Sequence, residues 1–243
     1  MNNKNIALLT AAGVGSRMHN NIPKQFLTVE NKPIIIYTLE AFENHPSIDE
    51  IIVACLREWI PVLTAYAKEA NITKLKYIIP GGDTGQQSIT NCLTYLIENG
   101  YDSNDLVMVH DGNRPLVSSD VISESIATCI EKGNAVACVP CDEVVLSSHD
   151  QEHADGQFNR DIMKRTQTPH TWTLGQLYNG YQEMIREEKL NIVAPCQLML
   201  ELGETVNLTN GSKLNFKITR QDDLEIFEAL VLAEGYSRSL RKK

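Results

Sequence analysis

Four charged residues in this 243-residue sequence, Arg17, Lys24, Asp111 and Lys217, stand in settings where a bound anion would explain them. The first two belong to a small-residue turn, Ala11-Ala12-Gly13-Val14-Gly15-Ser16-Arg17-Met18, which follows the apolar run Ile6–Thr10 and precedes Pro23-Lys24-Gln25. Nothing bulky keeps an anion from the backbone N–H groups of such a turn, and Arg17 and Lys24 supply the countercharge. The natural guest is a polyphosphate. A dinucleotide-binding turn would need glycine where Met18 stands, and a P-loop would need Gly-Lys-Ser or Gly-Lys-Thr, which is absent. Neither hydride transfer nor ATP hydrolysis is the chemistry indicated.

Three further clusters extend the reading. Pro80-Gly81-Gly82-Asp83-Thr84-Gly85-Gln86-Gln87-Ser88 lies between a strand and a helix, so Ser88 and nearby amides can read polar edges of a base or ribose. Val109-His110-Asp111-Gly112-Asn113-Arg114-Pro115 ends a strand. There Asp111 can hold a divalent cation bridging phosphates and Arg114 an acceptor phosphate, or the two can pair to brace the turn. Lys217, alone in the apolar alternation Asn215–Ile218, is either an exposed strand lysine or one more partner for phosphate and metal. No serine occupies a nucleophile elbow and no cysteine has a visible base. The combination points to direct in-line attack by a bound phosphate on an activated nucleotide, with catalysis by positioning and charge stabilisation. A phosphate monoester is largely dianionic at neutral pH and needs no general base.

These residues must be positioned by alternating elements. Ile6–Thr10, Glu50–Cys55, Leu75–Ile79, Leu106–His110 and Ala135–Val139 read as strands buried on both faces. Ile34–Phe42, Trp59–Ala70, Gln87–Glu98 and Ser119–Lys132 read as helices, the last two closed by Asn99-Gly100 and Gly133. The pattern predicts an α/β fold with a largely parallel sheet. After Pro140 the alternation breaks, and residues 143–160 read as an excursion, a hairpin leaving the main body. Leu174–Lys189, Pro195–Leu202 and Gln221–Ala233 read as helices, Val206–Thr209 and Asn215–Ile218 as strands.

One core with an appendage suits the length, and the chain is read as a single domain over 1–243. Acidic residues outnumber basic ones, 31 to 22, giving a net charge of −9 that argues against a nucleic-acid surface. The basic tail Arg238, Arg241, Lys242 and Lys243 reads as a solvated end. No run is long enough to span a bilayer and the start leads into a strand, so a cytoplasmic protein is expected. Cys138-Val139-Pro140-Cys141 continues an apolar run with no second pair nearby, which favours buried thiols over a redox or zinc site. His149 and His153 read as solvated.

With those pieces in order, the chain resembles the 2-C-methyl-D-erythritol 4-phosphate cytidylyltransferase family and its sister, the ribitol-5-phosphate cytidylyltransferases. The matching segments are Ala11–Met18, Pro23–Leu27, Lys32–Ile34, Gly81-Gly82, His110–Pro115, Gln167–Pro169 and Lys217–Thr219, spread over nearly the whole chain. The resemblance implies a Rossmann-like nucleotidyltransferase domain with an arm near 141–165 that clasps the second subunit of a homodimer. It implies that CTP and a polyol phosphate give a CDP-polyol and diphosphate, with Mg2+. Arg17, Lys24 and Lys217 would be catalytic. Ala11, Ala12, Gly13, Gly15, Gly82, Asp83, Ser88 and Asp111 would hold the nucleotide, and Asp111 the metal. Arg160 from the partner's arm, with Arg114, would take the acceptor.

The departures fall on the acceptor side. Gly85 stands where the family usually has arginine, Val144 where its arm opens with threonine, and Val193-Ala194 near an expected Thr-Asp pair. Valine for threonine removes a hydroxyl without greatly changing volume. Trp59, the segment Arg186–Lys189 and the length favour a ribitol-type acceptor. Methylerythritol phosphate and a non-catalytic CTP-binding homologue stay open, as does whether the product feeds a wall polymer, a capsule or isoprenoids.

Overall fold

The computed structural model describes residues 3–13 and 22–240, the last seven by backbone alone. Arg17 and Gly15 therefore lie outside the described residues.

Seven strands form one mixed sheet in the order β11-β7-β10-β6-β1-β4-β5. The strands are β1 (Asn5–Ala11), β4 (Glu50–Cys55), β5 (Leu75–Pro80), β6 (Leu106–Asp111), β7 (Ala135–Pro140), β10 (Lys164–Thr173) and β11 (Leu208–Asn210). Two small ladders stand apart, β2 (Thr28–Val29) with β3 (Lys32–Pro33), and β8 (Val145–Ser147) with β9 (Gly156–Phe158). All neighbours in the large sheet run parallel except β10, which is antiparallel to both β6 and β7. The strands read from continuous apolar runs are present, β4 with the same bounds and the others extended by a residue at one or both ends, because both faces are covered by helices and no polar side is required.

One face carries α1 (Ile34–Glu43), α2 (Ile60–Glu69) and α4 (Ser119–Lys132), burying Leu39, Phe42, Leu63 and Ile122 against the sheet. The other carries α3 (Gly85–Glu98), α5 (Leu174–Arg186) and α6 (Pro195–Glu201), with Leu93, Tyr181 and Leu198 in its core. Thr84 caps α3 by accepting from the Gln87 N–H, and Gly133 ends α4 at φ 88°, where a side chain would be strained. A third, smaller cluster joins Ile34, Ile218 and Phe227, the last from α7 (Gln221–Leu240).

Two sequence expectations change. Asn215–Ile218 is not a strand. The Ile218 N–H donates to the Asn113 carbonyl (2.9 Å), the Asn113 amide donates to the Ile218 carbonyl, and Arg114 Nη1 donates to the Asn215 carbonyl (2.8 Å). The loop after β6 thus satisfies backbone groups that a ladder would otherwise take. The second is β10: Lys164–Thr173, for which no element was read from the sequence, forms a ten-residue strand running against its neighbours. The 143–160 excursion is the β8–β9 hairpin, whose turn pairs His149 with Asp155 and His153 with Asp150. Both histidines are exposed, and all six cysteines are free.

Candidate active site

The parallel register brings the glycine turns together. Thr10 of β1 lies opposite Asp111 of β6, Ala11 opposite Cys55 of β4, and Cys55 opposite Pro80 of β5. The segments after β1, β5 and β6 therefore emerge on one carboxyl edge. From β1 the chain goes outward through β4 and β5, then returns to β6 on the other side, so the strand order reverses at β1. Ligands of open α/β sheets bind at such a reversal. Because β10 is reversed, its early residues Thr166–Thr168 join the same edge. A cleft of about 840 Å³ opens there, bounded by Ala12, Gly13, Lys24, Gly82, Asp111 and Lys217.

Asp111 organises the floor. Its carboxylate accepts from Lys217 Nζ (2.7 Å) at one oxygen and from Arg114 Nε (2.9 Å) at the other. The Asp111 N–H donates to Thr168 Oγ1 (3.1 Å). Burial pushes the Asp111 carboxyl up, but the charges and hydrogen bonds of Lys217 and Arg114 outweigh it and hold the group far below the usual carboxylate range. Asp111 stays ionised at every physiological pH. The Asp111–Arg114 pair bracing a turn is present, and Lys217, far away in the sequence, completes it.

A single carboxylate suits a hard divalent cation that takes its remaining oxygens from substrate phosphates and water, as Mg2+ does. Among the described residues no group of three or more His, Cys, Asp or Glu side chains is arranged to hold a metal without substrate. Asp111 is therefore the residue that fits this role, in exchange for part of its contact with Lys217 and Arg114.

Opposite the floor, Gln25 Nε2 donates to the carbonyls of Ala11 (2.6 Å) and Gly13 (3.3 Å), tying the first turn to the 3-10 segment Lys24–Phe26. Phe26 stacks on Trp59 with ring centroids 4.5 Å apart. Trp59 thus supports the segment that carries Lys24. In the second turn the Gly82 N–H donates to Ser88 Oγ (3.1 Å), whose hydroxyl donates to the Thr84 carbonyl (3.0 Å), and the Asp83 N–H donates to Gln87 Oε1 (2.9 Å). Ser88 is the brace of this turn; a base edge would exchange for one of these bonds. Among the described residues, and outside its own helix backbone and chain neighbours, no heavy atom comes within 4 Å of where a Gly85 Cβ would stand.

Arg160 is the sequence candidate that does not join the cleft within one chain. It sits after the hairpin, over half exposed, and bounds a separate hollow of about 360 Å³ with Asp142 and Lys164. Val144 is likewise exposed on the arm. Several participants lie within the motifs but were given no role from the sequence. Thr168, Gln25, Asn113 and Asn215 act through side-chain hydrogen bonds to backbone in other segments.

Beneath the floor lie His110 and His170, both buried. His110 Nε2 meets the Arg114 carbonyl (3.2 Å), while its Nδ1 and both ring nitrogens of His170 have no hydrogen-bond partner among the described residues. Burial lowers His110 to about 3 and His170 to about 4, so both are neutral when folded. An unfolded histidine takes up its proton near pH 6.5, so the unfolded state binds more protons as pH falls from there. Stability is complete above that value and is lost towards pH 4, by about 2 kcal/mol per histidine at pH 5. Urea midpoints at pH 7.5 and pH 5.0 test this: the midpoint drops at pH 5.0, and drops less in His170→Phe. A drop of the same size in that variant would remove His170 from the account.

A family model described as 2-C-methyl-D-erythritol 4-phosphate cytidylyltransferase matches residues 5–233. A ribitol-5-phosphate cytidylyltransferase of Lacticaseibacillus paracasei is 38% identical over 225 residues, covering 92% of this chain and 96% of that protein. A 2-C-methyl-D-erythritol 4-phosphate cytidylyltransferase of Clostridium tetani is 35% identical over 228 residues, covering 94% and 90%. Among solved structures, a 4-diphosphocytidyl-2C-methyl-D-erythritol synthase superposes with a TM-score of 0.81 at 22% identity, covering 95% of this chain and 99% of that one. The 2-C-methyl-D-erythritol 4-phosphate cytidylyltransferase of Thermus thermophilus gives 0.74 at 26% identity, covering 92% and 97%. No described helix is long and apolar enough to cross a membrane.

Proposed function

The chain belongs to the 2-C-methyl-D-erythritol 4-phosphate cytidylyltransferase family and is a CTP-dependent nucleotidyltransferase, and from that premise we propose that it joins CTP to ribitol 5-phosphate, giving CDP-ribitol and diphosphate. The observation that carries the reading is the meeting of Lys24, Asp111 and Lys217 around one cleft that the two glycine turns also enter. The choice of ribitol follows the name of the relative at 38% identity.

In this reading the first turn (Ala11 to Gly15) and the second (Gly82, Asp83 and Ser88) hold the cytidine and triphosphate by backbone groups. A phosphate oxygen of the acceptor attacks the α-phosphorus of CTP in line. The new P–O bond forms as the bond to the bridging oxygen breaks, and diphosphate leaves with the electron pair. Lys24, Lys217 and Arg17 stabilise the charge that builds on the α-phosphoryl oxygens, and the attacking dianion gives up no proton. Mg2+, held by Asp111 and the triphosphate, would neutralise phosphate charge. Arg114 holds Asp111 in place and shapes the acceptor end.

The arm belongs to the same proposal. Val144, Leu146, Phe158 and Ile162 are all more than half exposed on a short hairpin and the segments flanking it, an apolar surface suited to a second copy of the chain. A homodimer through the arm would carry Arg160 towards the partner's cleft.

CTP and Mg2+ with a panel of phosphorylated polyols, followed by diphosphate release, tests the reading. Ribitol 5-phosphate is expected to give the highest kcat/KM. Turnover favouring 2-C-methyl-D-erythritol 4-phosphate would reassign the acceptor, and CTP binding without turnover on any member would refute the catalytic reading.

A further inference from the structure

Gln86, in the first turn of α3, has a side chain that serves neither the helix nor the glycine turn beside it. The residue is 3% exposed. Its Nε2 donates to the Lys189 carbonyl (3.1 Å), and its Oε1 accepts from the Ile192 N–H (2.9 Å). Both partners lie more than 100 positions away, in the link between α5 and α6. One buried carboxamide thus grips that link at two points, as donor and as acceptor.

The link has little else to fix it. Residues 187–194 form no helix or strand, and Glu188 adopts a left-handed φ of 58° as the chain leaves α5. Leu190 and Val193 are 54% and 82% exposed, while only Ile192 reaches the core. Its other anchors include the Lys189 N–H to Met184, the Val193 N–H to Gln197 Oε1 (3.0 Å), and exposed ion pairs of Lys189 with Glu187 and Glu201. Yet residues 190–195 form one wall of the cleft, facing the turn that contains Gln86. Apart from Ile192, the segment has little packing of its own to set its distance from the opposite wall. The Gln86 carboxamide supplies it.

We propose that Gln86 is a positioning residue that fixes the 190–195 wall against the glycine turn and so sets affinity for the polyol phosphate. The inference rests on the cleft being the cytidylyltransferase site. The glycine turn is braced by bonds among Gly82, Thr84, Ser88, Asp83 and Gln87, none of which involves the Gln86 side chain. Loss of the carboxamide therefore leaves the nucleotide wall standing and releases the other one. The cost falls on the substrate that meets the released wall. With the nucleotide assigned to the glycine turns, that substrate is the acceptor.

Two variants separate hydrogen bonding from packing. Gln86→Met keeps a side chain of similar length and loses both bonds; Gln86→Ala loses both bonds and the volume. Both are expected to raise KM for ribitol 5-phosphate about tenfold, with KM for CTP and kcat changed less than threefold. In both, hydrogen–deuterium exchange in the peptide covering 188–195 speeds at least tenfold, while β1 and β6 keep their protection. A wild-type acceptor KM in Gln86→Met would overturn the proposal, as would equal rises in both KM values. If instead no polyol phosphate is turned over by the wild-type protein, the functional reading fails. The exchange experiment then still reports whether Gln86 holds the wall.

Discussion

Asp111→Asn is expected to lower kcat/KM by about 10³ and to destabilise the fold by about 3 kcal/mol. The stability figure is the lower end of what breaking a buried pair costs, because Lys217 is 39% exposed and solvent screens its share. Asp111 itself is 17% exposed and has a cation on each oxygen. Asparagine matches its shape but presents an NH2 to one of those cations and leaves Lys217 and Arg114 unneutralised beside each other. Arg114 also holds the Asn215 carbonyl, so the segment that delivers Lys217 loses its tether. The activity loss exceeds that of a single missing charge-stabilising donor, about 10²–10³, because the substitution removes the carboxylate proposed to hold the metal and misplaces Lys217 together. Urea unfolding and CTP-dependent diphosphate release measure the two effects. Since the Asp111 pKa is depressed in the folded state, its contribution is present above about pH 4 and lost below it, so the difference from wild type narrows in acid. A variant with wild-type turnover would end the role assigned to Asp111.

What the sequence showed and what it hid follow from the range of the interactions. The strands β1, β4, β5, β6 and β7 announce themselves because a two-sided core demands unbroken apolar residues. The closure of α4 at Gly133 is equally local, since a helix end is satisfied within a few residues, whereas α3 starts at Gly85 under the Thr84 cap, two residues before the Gln87 read from the sequence. The carboxyl edge follows once the alternation is parallel, and with it the convergence of Ala12, Gly82 and Asp111. Lys217 joins them by another route. Its segment alternates like a strand, but its backbone is held by Asn113 and Arg114 of a loop 100 positions earlier. No periodicity encodes that. Strand β10 was hidden for a related reason: Arg165-Thr166-Gln167-Thr168 is polar because it rims the cleft, so only its later half looks like sheet. Gln86 was invisible because a glutamine in a polar turn is unremarkable until its partners at 189 and 192 are known.

Gly81→Ala should disable nucleotide binding through a contact that a second substitution relieves. A Cβ at Gly81 would stand 2.2 Å from Ala12 Cβ and 3.0 Å from Ser88 Oγ. Gly81 cannot easily retreat, since its N–H donates to the Cys55 carbonyl (2.8 Å). Ala12 is held through its neighbours, whose carbonyls accept from Gln25. The turns after β1 and β5 thus touch across the end of β4, and the added methyl forces them apart at the place where both would meet CTP. Overpacking of this kind costs about 1–3 kcal/mol. The displaced amides at Ala12 and Gly13 should raise KM for CTP by at least tenfold. Ala12→Gly removes the methyl that is struck, and alone should be nearly neutral for CTP. In the double variant the CTP KM should return to within about threefold of wild type, leaving only the adjustment of Ser88, whose hydroxyl is a movable tip. A coupling energy of about 1 kcal/mol or more in the double-mutant cycle is the signature of direct contact, because sites that do not touch add within about 0.5 kcal/mol. Additive effects on KM would mean that the two turns bind the nucleotide independently, and the single cleft would no longer account for how CTP is held.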